Sequence, residues 1–166
     1  MIYIEELQKK VSQKQQSIIG KNLLLKGLEY EYGISLLPKI TLGEFGKPFF
    51  IDYPKIHFNI SHCEKAVACI LSSHPVGIDV ECIKELDIDL VKYISSKEEF
   101  NKIITSLNPA LAFTKLWTEK ESYCKLTGQG LDSRDVIRDI LKNNPSKFNT
   151  IINETGGYVV TSCQNQ

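Results

Sequence analysis

Two charged segments of this sequence carry residue types that can handle a metal-bound phosphate. Segment 77–81 reads Gly-Ile-Asp-Val-Glu, and a later segment, Trp-Thr-Glu-Lys-Glu-Ser-Tyr-Cys-Lys, ends at Lys125. In a strand Asp79 and Glu81 project from the same face, and in a helix Glu121 and Lys125 lie one turn apart. Three carboxylates can share a magnesium ion, which completes its coordination with water and substrate phosphate oxygens. The lysine would then face the same phosphate.

Two other segments are weaker candidates for phosphate contacts. Residues 58–62 read Phe-Asn-Ile-Ser-His, so an apolar run ends in Ser61 and His62, whose side chains can donate hydrogen bonds. Residues 46–48 read Gly-Lys-Pro, which places Lys47 beside a rigid proline. Each segment alone also has an ordinary interpretation: solvated carboxylates at a strand end, an ion pair on a helix surface, a structural histidine, or a turn.

Composition limits the class of protein. The 166 residues suit one domain, residues 1–166. Lysine plus arginine and aspartate plus glutamate number 20 each, so the net charge of zero argues against a nucleic acid or an acidic membrane as partner. Five cysteines without a CxxC pair predict free thiols in a reducing compartment. An acidic N-terminus and the lack of a long apolar run predict a cytoplasmic protein.

The first half of the chain is predicted to contain one long helix and three strands. Apolar residues recur at helical spacing over about 3–31, with Gly33 as a stop and Gly20 as a candidate break. Residues 37–54 are rich in glycine and proline and predict a loop with short extended pieces. Strands are predicted at 56–60, 66–71 and 76–80, arranged as an antiparallel meander.

The second half is predicted to contain a well-delimited helix that carries Glu121 and Lys125. Asn108 can cap it and Gly128 can end it, and Trp117 is expected in the core on its apolar face. The remaining elements are a short helix opened by Ser96 and ending near 106, a helix at 136–141, and a hairpin of strands 148–152 and 158–162. The order of helix and strands occurs twice, which suggests two similar halves.

Taken in order, these motifs resemble the 4′-phosphopantetheinyl transferase family, in particular its surfactin-synthetase-activating type. The motifs are segments 46–48, 58–62, 77–81 and 117–125, followed by Gly-Gln-Gly-Leu at 128–131. The interval between Asp79 and Glu121 also lies within the usual range of that family. The resemblance implies an α/β (α+β) fold of two similar halves, about 1–75 and 76–166, each a long helix on a small, mainly antiparallel sheet. The site would lie between the halves.

The resemblance further implies a magnesium-dependent reaction. The phosphopantetheine arm of coenzyme A would pass to a serine of an acyl or peptidyl carrier protein, leaving adenosine 3′,5′-bisphosphate. The residues implied are Asp79, Glu81 and Glu121 for magnesium; Lys47, Ser61, His62 and Lys125 for the coenzyme A phosphates; and Ser17 for a nucleotide contact. Glu121 and Lys125 are the implied catalytic pair, with Glu121 as the base for the serine proton. Glu99 matches another acidic position of the family, either structural or supporting the metal.

Two alternatives to the transferase stay open at this point. A shortened relative could bind coenzyme A or a carrier protein without transferring anything, and a magnesium-dependent phosphohydrolase would need the same metal but no carrier. Basic residues that longer relatives carry near the N-terminus are not matched securely in this sequence. The resemblance therefore leaves room for a homo-oligomer that completes the site, with the long first helix as the expected contact surface.

Overall fold

The protein is a mixed helix and sheet structure with two three-stranded antiparallel sheets. The structure, a computed structural model, describes residues 1–43, 45–128, 134–142 and 146–165, without the side chains of 134–136. The strands are β1 (Ile2–Glu6), β2 (Ile40–Leu42), β3 (Pro48–Phe50), β4 (His57–His62), β5 (Ala66–Ser72), β6 (Val76–Cys82), β7 (Lys147–Asn153) and β8 (Tyr158–Gln164). The helices are α1 (Gln13–Tyr32), α2 (Ile88–Ile94), α3 (Lys97–Ile104), α4 (Pro109–Thr127) and α5 (Arg134–Asp139).

The first sheet has the order β1-β5-β4 and is covered on one face by α1. A capping box of Ser12 and Gln15 begins the helix, and Gly33 ends it in the left-handed conformation with φ of 69°. Leu24 and Leu28 of α1 are fully buried against the apolar side chains of β5. This half therefore consists of a strand, a long helix and a hairpin that share one core.

The prediction of one helix over residues 3–31 was wrong in its first part. Residues Ile2–Glu6 form β1 and pair antiparallel with β5, because the alternation of Ile2, Tyr3 and Ile4 suits a strand better than a helix. The helix also passes through Gly20 without a break. A Cβ at Gly20 would collide with the side chain of Ile60, so the glycine allows α1 to approach the sheet closely.

The second sheet has the order β6-β8-β7 and is covered on one face by α4. It repeats the plan of the first half: a strand, a long helix and a hairpin whose last strand lies at the centre of the sheet. The other faces of the two sheets enclose an apolar cluster that includes Ala68 and Ile70 from β5 and Ile78 and Val80 from β6. The predicted α/β (α+β) class with two similar halves is confirmed.

The predicted meander of three strands was wrong at its third member. Strands β4 and β5 form the expected antiparallel hairpin, but β6 pairs with β8 in the other sheet. The sequence pattern of β6 predicts that it is a strand. The strand with which β6 pairs is not predicted by that pattern, because it depends on where the chain turns after Ser72. That partner lies about 80 residues further along the chain, outside any local signal.

The other predicted elements agree with the structure within a few residues. The loop at 37–54 contains the short strands β2 and β3, which pair with each other. Asn108 and Gly128 cap α4, and Ser96 caps α3 as predicted. The C-terminal hairpin and α5 are also present, whereas α2 was not predicted. All five cysteines are free and buried, as expected for small core residues.

No helix in the described residues is both long enough and apolar enough to cross a membrane.

Candidate functional site

Asp79 is the most buried acidic group of the candidate site. It lies in the middle of β6, and its side chain is 3% exposed. Its Oδ1 atom accepts a hydrogen bond from the Ser61 hydroxyl at 2.9 Å and from the Lys125 ammonium at 2.6 Å. Its Oδ2 atom is buried and has no hydrogen-bond partner among the described residues. A buried carboxylate oxygen without a donor is costly, so this atom is suited to receive a cation.

Glu81 and Glu121 complete the acidic group around Asp79. Both are partly buried, and this burial raises the pKa of each carboxyl group. The negative charge of Asp79 raises both pKa values further, while the positive charge of Lys125 opposes the rise. Because the charge of Asp79 makes Glu81 and Glu121 harder to ionise, a divalent cation would be stabilised among these three side chains.

The donor set fits magnesium, but the described residues do not form a ready-made metal cage. Carboxylate oxygens are the hard ligands that magnesium prefers, and it normally keeps several waters. Across residues 1–43, 45–128, 134–142 and 146–165, no three histidine, cysteine, aspartate or glutamate side chains converge as a metal site. Lys125 instead pairs with Asp79. The orphan Oδ2 atom is the observation that favours a cation here.

Ser61 lies under Asp79 and uses its hydroxyl group inside the protein. The hydroxyl donates to Asp79 and accepts from the Lys125 ammonium at 3.0 Å and from the backbone N–H of Val80 at 3.3 Å. A hydroxyl group has one proton and two lone pairs, so all three are engaged. The structure therefore brings Ser61 together with the acidic group rather than to an open phosphate position.

Lys47, His62 and Ser17 do not share these contacts. The Lys47 ammonium donates to the carbonyls of Val76 at 3.0 Å and Leu126 at 2.7 Å, and burial lowers its pKa. It thereby connects the start of β6 to the end of α4. His62 is exposed at the end of β4, and Ser17 is exposed on α1. The expected Gly-Gln-Gly-Leu motif at 128–131 lies outside the described residues after Gly128.

Close packing of α4 on β6 brings Lys125 and Glu121 next to Asp79. Gly77 makes this approach feasible, because a Cβ atom there would collide with the carbonyl oxygen of Ser122 and with the backbone of Leu126. The acidic motif therefore begins with glycine for a packing reason that the sequence alone does not reveal.

Trp117 does not have the core position predicted for it. It is partly exposed and lies beside Glu81, where it opposes the rise in the pKa of that carboxyl group. The buried residues of α4 are Thr114, Thr118, Lys120, Ser122, Cys124 and Leu126. Thr118 is polar yet packs inward, because its hydroxyl group forms a hydrogen bond of 2.7 Å with the hydroxyl group of Thr161 on β8. This polar contact explains why apolar periodicity selected the wrong face of the helix.

A cavity of ≈ 230 Å³ lies beside Glu81 and Trp117. Its other lining residues come from the end of β6, from the chain that follows it and from the first half of α4, and they include Lys84, Leu90 and Phe113. The cavity therefore adjoins the acidic group at Glu81. It offers space next to Glu81 for an extended group of a substrate.

Lys120 is a structural residue that sequence reasoning missed. It is fully buried, and its ammonium donates to the carbonyls of Ile94, Ile137 and Arg138 and to the Glu99 carboxylate at 2.9 Å. Glu99 also accepts from the backbone N–H of Ser96 at the start of α3. Glu99 is therefore a structural partner of Lys120. No sequence pattern distinguished Lys120 from a surface lysine.

Comparison with known proteins agrees with the motifs. A sequence model of the 4′-phosphopantetheinyl transferase superfamily matches residues 75–164, more than half of the chain. The 4′-phosphopantetheinyl transferase gsp of Aneurinibacillus migulanus is 37% identical over 122 residues, covering 70% of this chain and 49% of the relative. The 4′-phosphopantetheinyl transferase Sfp of Bacillus subtilis is 39% identical over 119 residues, covering 70% and 53%. The chain spans about half the length of the curated relatives it matches.

Proposed function

Because this chain belongs to the 4′-phosphopantetheinyl transferase superfamily, we propose that it modifies carrier proteins. The proposed reaction is magnesium-dependent transfer of the 4′-phosphopantetheine arm of coenzyme A onto a serine of an acyl or peptidyl carrier protein. The observation that carries this proposal is the unpartnered Oδ2 atom of Asp79, which lies in a group with Glu81, Glu121 and Lys125.

Asp79, Glu81 and Glu121 would hold the magnesium ion. When bound, the ion supplies positive charge to the pyrophosphate of coenzyme A. Lys125 supplies a second positive charge from α4, close enough to Asp79 to act on the same phosphate. His62, exposed at the end of β4, and Ser17 are the proposed contacts for the remaining phosphate and nucleotide groups.

Glu121 is the proposed base for the carrier serine. Burial raises its pKa, so its carboxylate accepts a proton more readily than an exposed glutamate does. The serine hydroxyl oxygen forms a bond to the phosphorus that bears the pantetheine group, and its proton passes to Glu121. The bond from that phosphorus to the oxygen of adenosine 3′,5′-bisphosphate breaks at the same centre. The products are the modified carrier and adenosine 3′,5′-bisphosphate.

The proposal also covers the location, the domain organisation and the self-association of the protein. We place the protein in the cytoplasm, since its five buried thiols are free, and we treat residues 1–166 as one functional domain. Association with a second copy through α1 remains part of the proposal. Tyr30, 74% exposed on this helix, supplies an apolar contact for it.

Intact-mass spectrometry of a carrier protein tests the proposed function. The chain, apo-carrier, coenzyme A and magnesium are incubated together, with parallel reactions that contain a chelator or lack coenzyme A. We expect the carrier to gain the mass of one phosphopantetheine group only in the complete reaction. An unmodified carrier with intact coenzyme A would favour the binding relative, and hydrolysed coenzyme A without modified carrier would favour the phosphohydrolase.

A further inference from the structure

The two sheets meet along the edges of β4 and β6 through side chains instead of a backbone ladder. The Asn59 Oδ1 atom accepts a hydrogen bond from the backbone N–H of Ile78 at 2.9 Å. Two residues further along both strands, the Ser61 hydroxyl accepts from the N–H of Val80. Asn59 and Ser61 are each 6% exposed. They therefore satisfy two buried amide groups of β6 that a neighbouring strand would otherwise satisfy.

These two amide groups flank Asp79. Ile78 and Val80 are its neighbours in the chain, so the bonds from β4 fix the backbone on both sides of the carboxylate. Ser61 also donates to Oδ1 of Asp79, the same oxygen that Lys125 contacts. Both donors therefore engage one oxygen, and the other, Oδ2, has no partner in the part of the chain that the structure describes.

We propose that Asn59 and Ser61 are positioning residues that orient the Asp79 carboxylate so that Oδ2 binds the divalent cation. This inference rests on the proposed function for the identity of the metal site. It differs from the expectation that Ser61 holds a coenzyme A phosphate, because the hydroxyl proton and both lone pairs of Ser61 are already engaged within the protein.

The physical basis is the orientation of a metal ligand by its own hydrogen-bond partners. Loss of such a partner typically weakens metal binding by about 10–100-fold. Without Ser61, the carboxylate of Asp79 can rotate, and Lys125 can engage either oxygen. Without Asn59, the N–H of Ile78 loses its acceptor and the backbone next to Asp79 is no longer fixed.

The inference can be tested without the transfer reaction. The complete chain is titrated with Mn²⁺, and the free ion is measured by electron paramagnetic resonance. Ser61→Ala is expected to weaken Mn²⁺ binding by about tenfold or more, and Asn59→Ala is expected to weaken it in the same direction. Ser61→Cys keeps the size of the side chain and a weak donor, and it should recover part of the affinity. Ser35→Ala, at an exposed position on the loop after α1, is the matched serine control.

Calorimetric titration of coenzyme A into the same metal-free variants separates the two roles of Ser61. We expect unchanged coenzyme A affinity in Ser61→Ala, and in activity assays a higher magnesium requirement with an unchanged KM for coenzyme A. Weaker coenzyme A binding with unchanged Mn²⁺ binding would overturn the inference and assign Ser61 to the phosphate. A wild-type protein that binds no Mn²⁺ would also overturn the inference. The proposed transferase function is tested separately, by the mass of the carrier protein.

If Ser61→Ala does not fold, as judged by circular dichroism, then Ser61→Cys and Asn59→Ala decide the question by the same titration. A folded Asn59→Ala protein with wild-type Mn²⁺ affinity would contradict the positioning role of β4.

Discussion

At the scale of single residues, the three carboxylates of the site have different environments. Asp79 is almost completely buried, and two donors contact one of its oxygens. Glu81 and Glu121 are partly buried, and burial with the charge of Asp79 raises their pKa values. The site thus has more carboxyl groups than Lys125 can pair with, and the proposed cation site depends on this combination.

The raised pKa of Glu121 predicts a pH-dependent effect of Glu121→Gln on stability. The folded protein holds this proton more tightly than the unfolded chain does. The wild-type carboxyl therefore contributes stability that is present below its unfolded pKa of about 4.3 and lost as the pH rises through the higher folded pKa. In metal-free protein, Glu121→Gln should gain stability relative to wild type as the pH is raised across this window.

Urea unfolding of both proteins at about pH 4 and about pH 7, in the presence of a chelator, measures this difference. Glu64→Gln, at an exposed position, is the control and should show a much smaller change. A stability difference between Glu121→Gln and wild type that does not vary with pH would contradict the prediction.

Substitutions at Lys47 and His62 test which of the two side chains binds coenzyme A. Both were expected to bind it, but Lys47 is partly buried and His62 is exposed. Lys47→Met should lower the free energy of unfolding by about 1–3 kcal/mol, since the carbonyls of Val76 and Leu126 lose a charged donor. His62→Ala, at an exposed position, should leave stability nearly unchanged and weaken coenzyme A binding. Urea unfolding and calorimetry on both variants measure the two effects. Wild-type coenzyme A affinity in His62→Ala would remove His62 from the site.

At the scale of elements, a buried lysine fixes the helices of the second half. The Lys120 ammonium on α4 contacts the end of α2, the start of α3 and two carbonyls of α5. Glu99 is its charged partner and also closes the capping box of α3. Lys120 precedes Glu121 in the chain, so the contacts that hold this part of α4 also fix the helix that carries the proposed base.

Lys120→Met should therefore lower the free energy of unfolding by about 3–5 kcal/mol, because it leaves Glu99 and three carbonyls without their cation. Glu99→Gln should cost less, since glutamine preserves the capping box. Thermal and urea unfolding of the two variants measure these effects. Lys102→Met, at an exposed position of α3, is the control and should change stability little. Equal stability of Lys120→Met and Lys102→Met would contradict the role of Lys120.

The sequence predicted elements well where local signals delimit them. Asn108 and Gly128 defined α4, and the glycine pair before Tyr158 defined the last hairpin, because caps and turns act over a few residues. β1 was missed because five residues give too little alternation to exclude a helix. The partner of β6 and the inward position of Lys120 depend on contacts between distant segments, which one sequence does not contain.

The prediction of the candidate site from the sequence was limited in the same way. Asp79 and Glu81 face α4, as strand alternation predicts, and Lys125 meets them there. The internal use of Ser61 and Lys47 was not predictable, because it depends on the approach of β4 to β6 and of the loop before β3 to the end of α4.

At the scale of the whole molecule, the candidate site lies where the two similar halves meet. Ser61 comes from the first half, whereas Asp79, Glu121 and Lys125 come from the second. The close packing of α4 on β6 at Gly77 and the side-chain contacts from β4 bring these segments together. This arrangement explains why the motifs are dispersed through the sequence although their side chains act as a group.

The most direct test of the proposed transferase measures both products of one reaction. Modified carrier is quantified by intact mass and adenosine 3′,5′-bisphosphate by chromatography, for the wild-type chain with coenzyme A, magnesium and apo-carrier. We predict that the two products form in equal amounts, and that neither forms when magnesium or the carrier is omitted. Release of adenosine 3′,5′-bisphosphate without the carrier, or the absence of both products from a folded chain that binds coenzyme A, would contradict the proposed transferase.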